Sequence, residues 1–358
     1  MMEMNIRRTW ITAMLAAGVA LGSVMDGGAQ GAEAATVSRS HLQAVNEITV
    51  TWDGKELSRK GIVSRGSSYV PITEVRDVLG LSLHYDAKER SYTLSGALHE
   101  IKIYVYGGDE IGLLVNGYYS NSKDAKLVNG RLYLPYDLLH QYMGVQGAWS
   151  SAEQTLSLTS LPQNKLTLET RTLREVTPKA DISVRYPVLS GMANAKAEAD
   201  MNAVFRQHAE DFISESVEGL KEMPAPREGI PYEYTGDFIV HHNRDGILSL
   251  TAHEYTYAGG AHGMTYRTSW TFSLPDGKKL QLADVINLQG DRKQKLDTYV
   301  LETLEEGGGY LGGFQGVPAD ASFYIQGDAA VLYFQLYEYT AYAYGFPEIK
   351  LPFSVWKK

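Results

Sequence analysis

A six-residue pattern occurs twice in the first half of this chain, the second copy 64 positions after the first. Gly66-Ser67-Ser68-Tyr69-Val70-Pro71 returns as Gly130-Arg131-Leu132-Tyr133-Leu134-Pro135. At the same offset Gly80 answers Gly144 and Leu94 answers Leu158. Trp52-Asp53-Gly54 aligns with Val115-Asn116-Gly117 once one residue is inserted. Two copies of one small unit are therefore expected. The Asp-Gly and Asn-Gly steps read as hairpin turns, because glycine takes a positive φ without a Cβ clash. Each unit then reads hairpin, short strand ending at Pro, short helix (Ile72 to Leu79, Tyr136 to Tyr142), Gly stop, hairpin. Gly80 and Gly144 stand where a left-handed residue closes a helix.

The first 34 residues have the form of a signal peptide. Arg7 and Arg8 open it, Trp10 to Met25 is mostly apolar, and Ala32-Glu33-Ala34 is a small-x-small cleavage site. The apolar run is shorter than the roughly 20 residues of a spanning helix, so no stable membrane span is expected after processing. The chain has no Cys, which excludes disulfides and a lipidated cysteine. Export without disulfides suits a secreted or wall-associated protein at a Gram-positive-like surface.

Charge divides the remainder. Residues 35–159 carry 12 basic and 13 acidic side chains, whereas residues 160–358 carry 19 basic and 26 acidic ones, a balance of −7. The acidity of the second half disfavours nucleic acid and anionic wall polymers and favours a cationic partner. Between the halves, Thr159 to Asn164 is polar and contains Pro162, the composition of a short linker.

Beyond Lys165 the pattern changes. Ile182 to Tyr186 alternates as a strand, with Pro187 marking its end. Asn194 to Lys221 reads as a helix whose apolar face includes Met201, Val204, Phe205, Phe212, Ile213, Val217 and Leu220. Phe238 to His242 and Ile247 to Tyr257 flank the turn Asn243-Arg244-Asp245-Gly246. Met264 to Leu274 alternates as a half-buried strand. A second helix is expected over Asp291 to Glu306, followed by a glycine-rich stretch. Ala330 to Tyr339 and Glu348 to Phe353 are expected to close the sheet. The order reads as α+β: repeated small α+β units first, then an antiparallel sheet packed with two helices.

Chemistry-bearing motifs are sparse. His241 and His242 are adjacent and point to opposite faces of a strand. His253 and His262 match no zinc spacing, and no Gly-x-Ser-x-Gly or phosphate loop occurs, so no catalytic residue, metal or cofactor is expected. The run Tyr255 to Gly263, YTYAGGAHG, brings strand-forming residues into a glycine corner. Two readings of His262 stand: a ligand-contacting ring, or a ring that bonds backbone carbonyls and fixes the turn. If Leu248, Leu250, Leu332, Phe334 and Leu336 face the core, Tyr255, Tyr257, Tyr333, Tyr337 and Tyr339 look outward with His253. The alternative is that the helix Asn194 to Lys221 covers that Tyr-rich face. The ligand-binding candidates are His253, Tyr255, Tyr257, Gly259, Gly260, His262, Tyr337 and Tyr339.

Two resemblances follow from these residues. The Tyr-Val-Pro and Leu-Gly elements of the repeat resemble the copper amine oxidase N-terminal-like, or stalk, domain over about residues 46–158. With no Thr-x-x-Asn-Tyr cofactor motif and no compact His cluster, this implies an accessory spacer or wall-adhesive unit, not amine oxidation. The glycine corner, the run YEYTAYAYG from Tyr337 to Gly345 and the segment Ile182 to Pro187 resemble a second module over about 165–358. It is the extracellular module of the anti-sigma-V factor RsiV, a lysozyme receptor, found also upstream of the catalytic domain of the peptidoglycan deacetylase PdaC. The resemblance implies an exported, non-enzymatic, wall-facing binding protein whose partner is a cationic lysozyme-type muramidase. The alternative is an accessory module for peptidoglycan binding or wall-glycan metabolism. Sigma-factor inhibition and deacetylation are not expected, because the segments that carry them are not recognisable here.

Overall fold

The computed structural model describes residues 45–358 except 97, 108–109, 120–123 and 229; the segment read as a signal peptide lies outside them. The repeat is realised in matching turns. Arg65-Gly66 takes φ of 49° and 74°, and Asn129-Gly130 takes 49° and 73°. Asp53-Gly54 and Asn116-Gly117 also have both residues at positive φ, the geometry of a two-residue hairpin turn.

The two units join through the repeated strands. Ser67–Pro71 pairs antiparallel with Arg131–Pro135, placing Tyr69 opposite Pro135, Val70 opposite Leu134 and Pro71 opposite Tyr133. Each strand runs directly into a helix, Ile72–Leu79 or Tyr136–Tyr142, with its proline in extended geometry at the N-cap position. Gly80 closes the first in the left-handed region. Around this pair an eight-stranded sheet spans both copies, and a five-stranded meander from Ser82 to Tyr119 packs over it. Their shared core contains Val70, Val75, Ile101, Leu134, Leu138 and Leu158.

In the C-terminal half, five strands lie in sequence order: Thr167–Val176, Ala180–Ser190, Tyr232–Arg244, Ile247–Tyr257 and Met264–Ser273. The helix Ala195–Glu222 is capped by Asn194, whose side chain accepts from the Ala197 N–H. It connects two strands that run parallel, pairing Ala180 with Tyr232 through Val184 with Gly236. The sheet is therefore mixed rather than wholly antiparallel. Phe205 of the helix meets Trp270 and Phe272 edge to face over Leu248 and Leu250. Val204, expected on that face, is exposed.

The sheet also has a first strand, Thr167–Val176, for which the sequence carries no expectation. Three further expectations are corrected. Pro187 does not end its strand, which continues to Ser190; it lies past the last parallel pairing, where a missing N–H is tolerated. The strand expected to reach Tyr339 stops at Tyr333. The chain's last strands do not close the large sheet. Phe323–Gln326, Ala329–Tyr333 and Glu348–Pro352 form a separate three-stranded sheet, whose core is shared with the helix Arg292–Glu306.

The second face of the five-stranded sheet is also covered. Ser249 and Thr251 are fully buried and His253 is 3% exposed. Neither solvent nor the long helix lies there. The Ile325 N–H donates to Ser249 Oγ, and Tyr118 of the N-terminal half donates to the His253 carbonyl. The two halves are fastened further along the free edge of Tyr232–Arg244 beyond Gly236. There His99 Nε2–H donates to the Val240 carbonyl at 2.6 Å, and Asn116 Nδ2–H to the Phe238 carbonyl at 2.6 Å. The segment read as a linker is itself docked: Asn164 exchanges hydrogen bonds with Asn243, Gly246 and Ile247.

Candidate functional site

Three segments converge on one surface of the C-terminal half: the corner 258–263, the glycine-rich loop 307–313 and the turn 335–345. The corner turns because Gly259 and Gly260 take φ of 87° and 106°. His262 then lies flat on Tyr342, with ring centroids 3.9 Å apart and planes 20° from parallel. Its Nδ1–H donates to the Gly263 carbonyl, and the Tyr342 hydroxyl donates to the same carbonyl at 3.0 Å. His262 Nε2 faces the Tyr337 hydroxyl at 3.3 Å. The ring thus bonds the turn and presents an exposed aromatic face at once.

Glycines make room for the rings. A Cβ on Gly263 would stand 2.4 Å from the Tyr255 ring, and one on Gly309 would stand 2.1 Å from Tyr344. The Ala341 N–H donates to the Gly309 carbonyl and the Leu311 N–H to the Tyr339 carbonyl, tying the glycine loop to the turn. Tyr337 is 37% exposed, Tyr344 54% and Leu311 62%, so the linked loop and turn present three large side chains to solvent. Tyr337 also has φ of 66°, a region bulky side chains rarely enter.

A buried polar cluster supports this surface from below. Gln335 accepts from the Arg267 N–H and donates to the Arg267 carbonyl, so one side-chain amide takes the place of a neighbouring strand. The Arg267 guanidinium pairs with Glu348 at 2.5 Å, donates to His253 Nε2 at 2.9 Å and lies over the Phe346 ring. Burial, reinforced by the Arg267 charge, pushes the His253 ring well below its usual pKa, so it is neutral.

The eight candidate residues therefore separate. Gly259, Gly260, His262 and Tyr337 form the surface, and Tyr255 and Tyr257 flank it, the Tyr257 hydroxyl donating to the Gly260 carbonyl. His253 is a buried structural ring. Tyr339 packs edge to face on Phe314 and Phe334 in the small core, and Tyr333 is 1% exposed. Tyr342, Tyr344 and Gly309 were missed. For the two tyrosines the signal is the run Tyr337 to Gly345, which folds as a turn and a short 3-10 helix; for Gly309 it is the glycine-rich stretch after the second helix.

Three family models match the chain in tandem. The copper amine oxidase N-terminal domain matches residues 44–158, deacetylase PdaC matches 174–265, and DUF3298, a family of unknown function, matches 277–354. The candidate surface thus joins two of them: the glycine corner comes from the PdaC-like part, the loop and turn from the DUF3298 part. Among solved structures, a DUF3298 family member from Bacteroides fragilis is 18% identical, with a TM-score of 0.41 over 55% of this chain and 95% of that one. A DUF3298 protein from Pseudomonas aeruginosa is 15% identical, with a TM-score of 0.39 over 55% and 96%. Comparison with curated proteins gave no match. The two C-terminal matches point to a cell-wall-associated accessory module, extracellular or at the cell surface. Among the described residues no helix is long and apolar enough to cross a membrane.

Proposed function

We propose that this protein is an exported, non-enzymatic binding protein, and that the surface around His262, Tyr337 and Tyr342 contacts its ligand. The observation that carries the proposal is the convergence of exposed aromatic rings from separate segments on glycine backbone. Tyrosine gives large rigid contact area with a polar tip, the composition of interface anchors. The C-terminal half carries a charge balance of −7, which attracts a cationic protein over a Debye length of about 8 Å at physiological salt. A lysozyme-type muramidase is the partner of first choice. Titration calorimetry of the mature chain against lysozyme at two salt concentrations tests it. Binding is expected at low salt, weaker at high salt, and reduced by about 2 kcal/mol in Tyr342→Ala. No heat at low salt would exclude the muramidase. The exposed rings of His262, Tyr337 and Tyr344 also favour a second reading, stacking on wall sugars, which retention on purified peptidoglycan would report.

A further inference from the structure

Among the described residues, one edge of the five-stranded sheet pairs with no further strand. At the opposite edge Gln335 occupies the backbone groups of Arg267, and at the step beyond Gly236 His99 and Asn116 hold two carbonyls. The Thr167–Val176 strand has no comparable cover: among the described residues its ladder runs only to Ala180–Ser190. It pairs without a bulge from Thr167 opposite Ser190 to Val176 opposite Asp181, and it contains neither Pro nor Lys. Its side chains are exposed apart from Leu168 and Leu173. Natural sheets guard such an edge with bulges, Pro, Lys and other charges, because free N–H and C=O groups template a further strand; here the only guards are charges of both signs, Glu169, Arg171, Arg174 and Glu175, which a strand of matching pattern neutralises.

We infer that this edge pairs with a second copy of the chain. A twofold axis normal to the sheet would set two Thr167–Val176 strands antiparallel and join the two five-stranded sheets into one. Side chains alternate between faces, so a symmetric pairing must be centred on a residue. Centring on Thr172 sets Glu169 against Glu175 twice, and centring on Arg171 sets that residue against its own copy. Centring on Leu173 opposes Leu173 to itself, Thr172 to Arg174, Thr170 to Val176, and Arg171 to Glu175 at both symmetric positions. Charge leaves two registers, this one and centring on Thr170, which sets Glu169 against Arg171 twice; the apolar self-contact of Leu173 selects this one. The backbone ladder supplies the affinity and the side chains the register.

Sedimentation equilibrium of the mature chain tests the inference. The wild type is expected to show a monomer–dimer equilibrium. Glu175→Arg places Arg opposite Arg171 twice and raises the dissociation constant about tenfold. The double change Arg171→Glu with Glu175→Arg inverts both charges, restores complementarity and recovers the dimer. Both side chains are exposed, and recovery in the double variant separates lost pairing from lost folding. A wild type that stays monomeric up to about 1 mM overturns the inference, as does a dimer indifferent to the single change or not recovered by the double one.

Discussion

Val70 and Leu134 lie opposite each other at the centre of the strand pair that joins the two repeat units. Both are fully buried in the same core. The repeat is thus more than a duplicated segment. Each copy of the Tyr-Val/Leu-Pro strand is the hydrogen-bonding partner of the other, so neither unit completes its sheet alone.

Truncation at this contact is expected to be severe and coupled. Leu134→Ala should destabilise by about 2–5 kcal/mol, through lost burial and the cavity left behind. Val70→Ala should do less, having fewer buried atoms. Because the residues share one cavity, the double variant should depart from additivity by about 0.5 kcal/mol or more. Urea denaturation of the single and double variants measures both quantities.

Tyr337 separates binding from stability. Its φ of 66° is cheap for Asn and expensive for a bulky side chain. Tyr337→Asn should keep or raise the melting temperature while lowering ligand affinity. Tyr339→Ala should do the opposite: the small core loses an aromatic ring and melting falls first. Calorimetry and thermal denaturation on the same two proteins distinguish these outcomes.

The two halves of the glycine corner should fail for different reasons. Gly260 has open space around a built Cβ, so Gly260→Val is strained by its φ of 106° alone. At Gly263 a Cβ meets the Tyr255 ring at 2.4 Å, so Gly263→Ala already displaces that ring. Removing the ring with Tyr255→Ala should rescue Gly263→Ala in thermal stability and leave Gly260→Val unrescued.

Acid should loosen the junction between the halves. Burial holds His99 at a pKa of about 4, below the usual 6.5, and pushes His241 and His253 down in the same direction. A depressed folded pKa means the unfolded chain takes up the proton first. The stability is fully present above pH 6.5 and is lost as pH falls from 6.5 towards 4, by roughly 3 kcal/mol at most for His99. Asp237, raised to about 6 by burial despite Arg185, acts oppositely and offsets part of this. Unfolding free energy should therefore drop between pH 6.5 and 4, and His99→Gln should flatten the curve.

The short helices were legible because their signals are local. Pro71 and Pro135 end the strands and stand at the N-cap positions, Gly80 and Gly144 follow the last turns at positive φ, and both spans coincide with the expected ones, Ile72–Leu79 and Tyr136–Tyr142. Asn194 and the three- and four-residue apolar steps place the long helix to within one residue. The glycine corner was equally readable, since Gly259 and Gly260 can turn where other residues cannot.

What covers each face of a strand is not local. Period-two alternation puts Leu248 and Leu250 on one side and Ser249, Thr251 and His253 on the other, and by itself it assigns the polar side to water. The fold lays a second sheet and the N-terminal half there, so Ser249 is satisfied by Thr271 and the Ile325 N–H instead. The same limit applies at Tyr333, Tyr337 and Tyr339. Sequence determined that these rings exist at alternating positions. Only the tertiary structure, through the clamp of Gln335 on Arg267, ended the strand and left one ring in each of two cores and one at the surface. A side chain's partner across the molecule is set by which elements pack together, and no run of neighbouring residues encodes that choice.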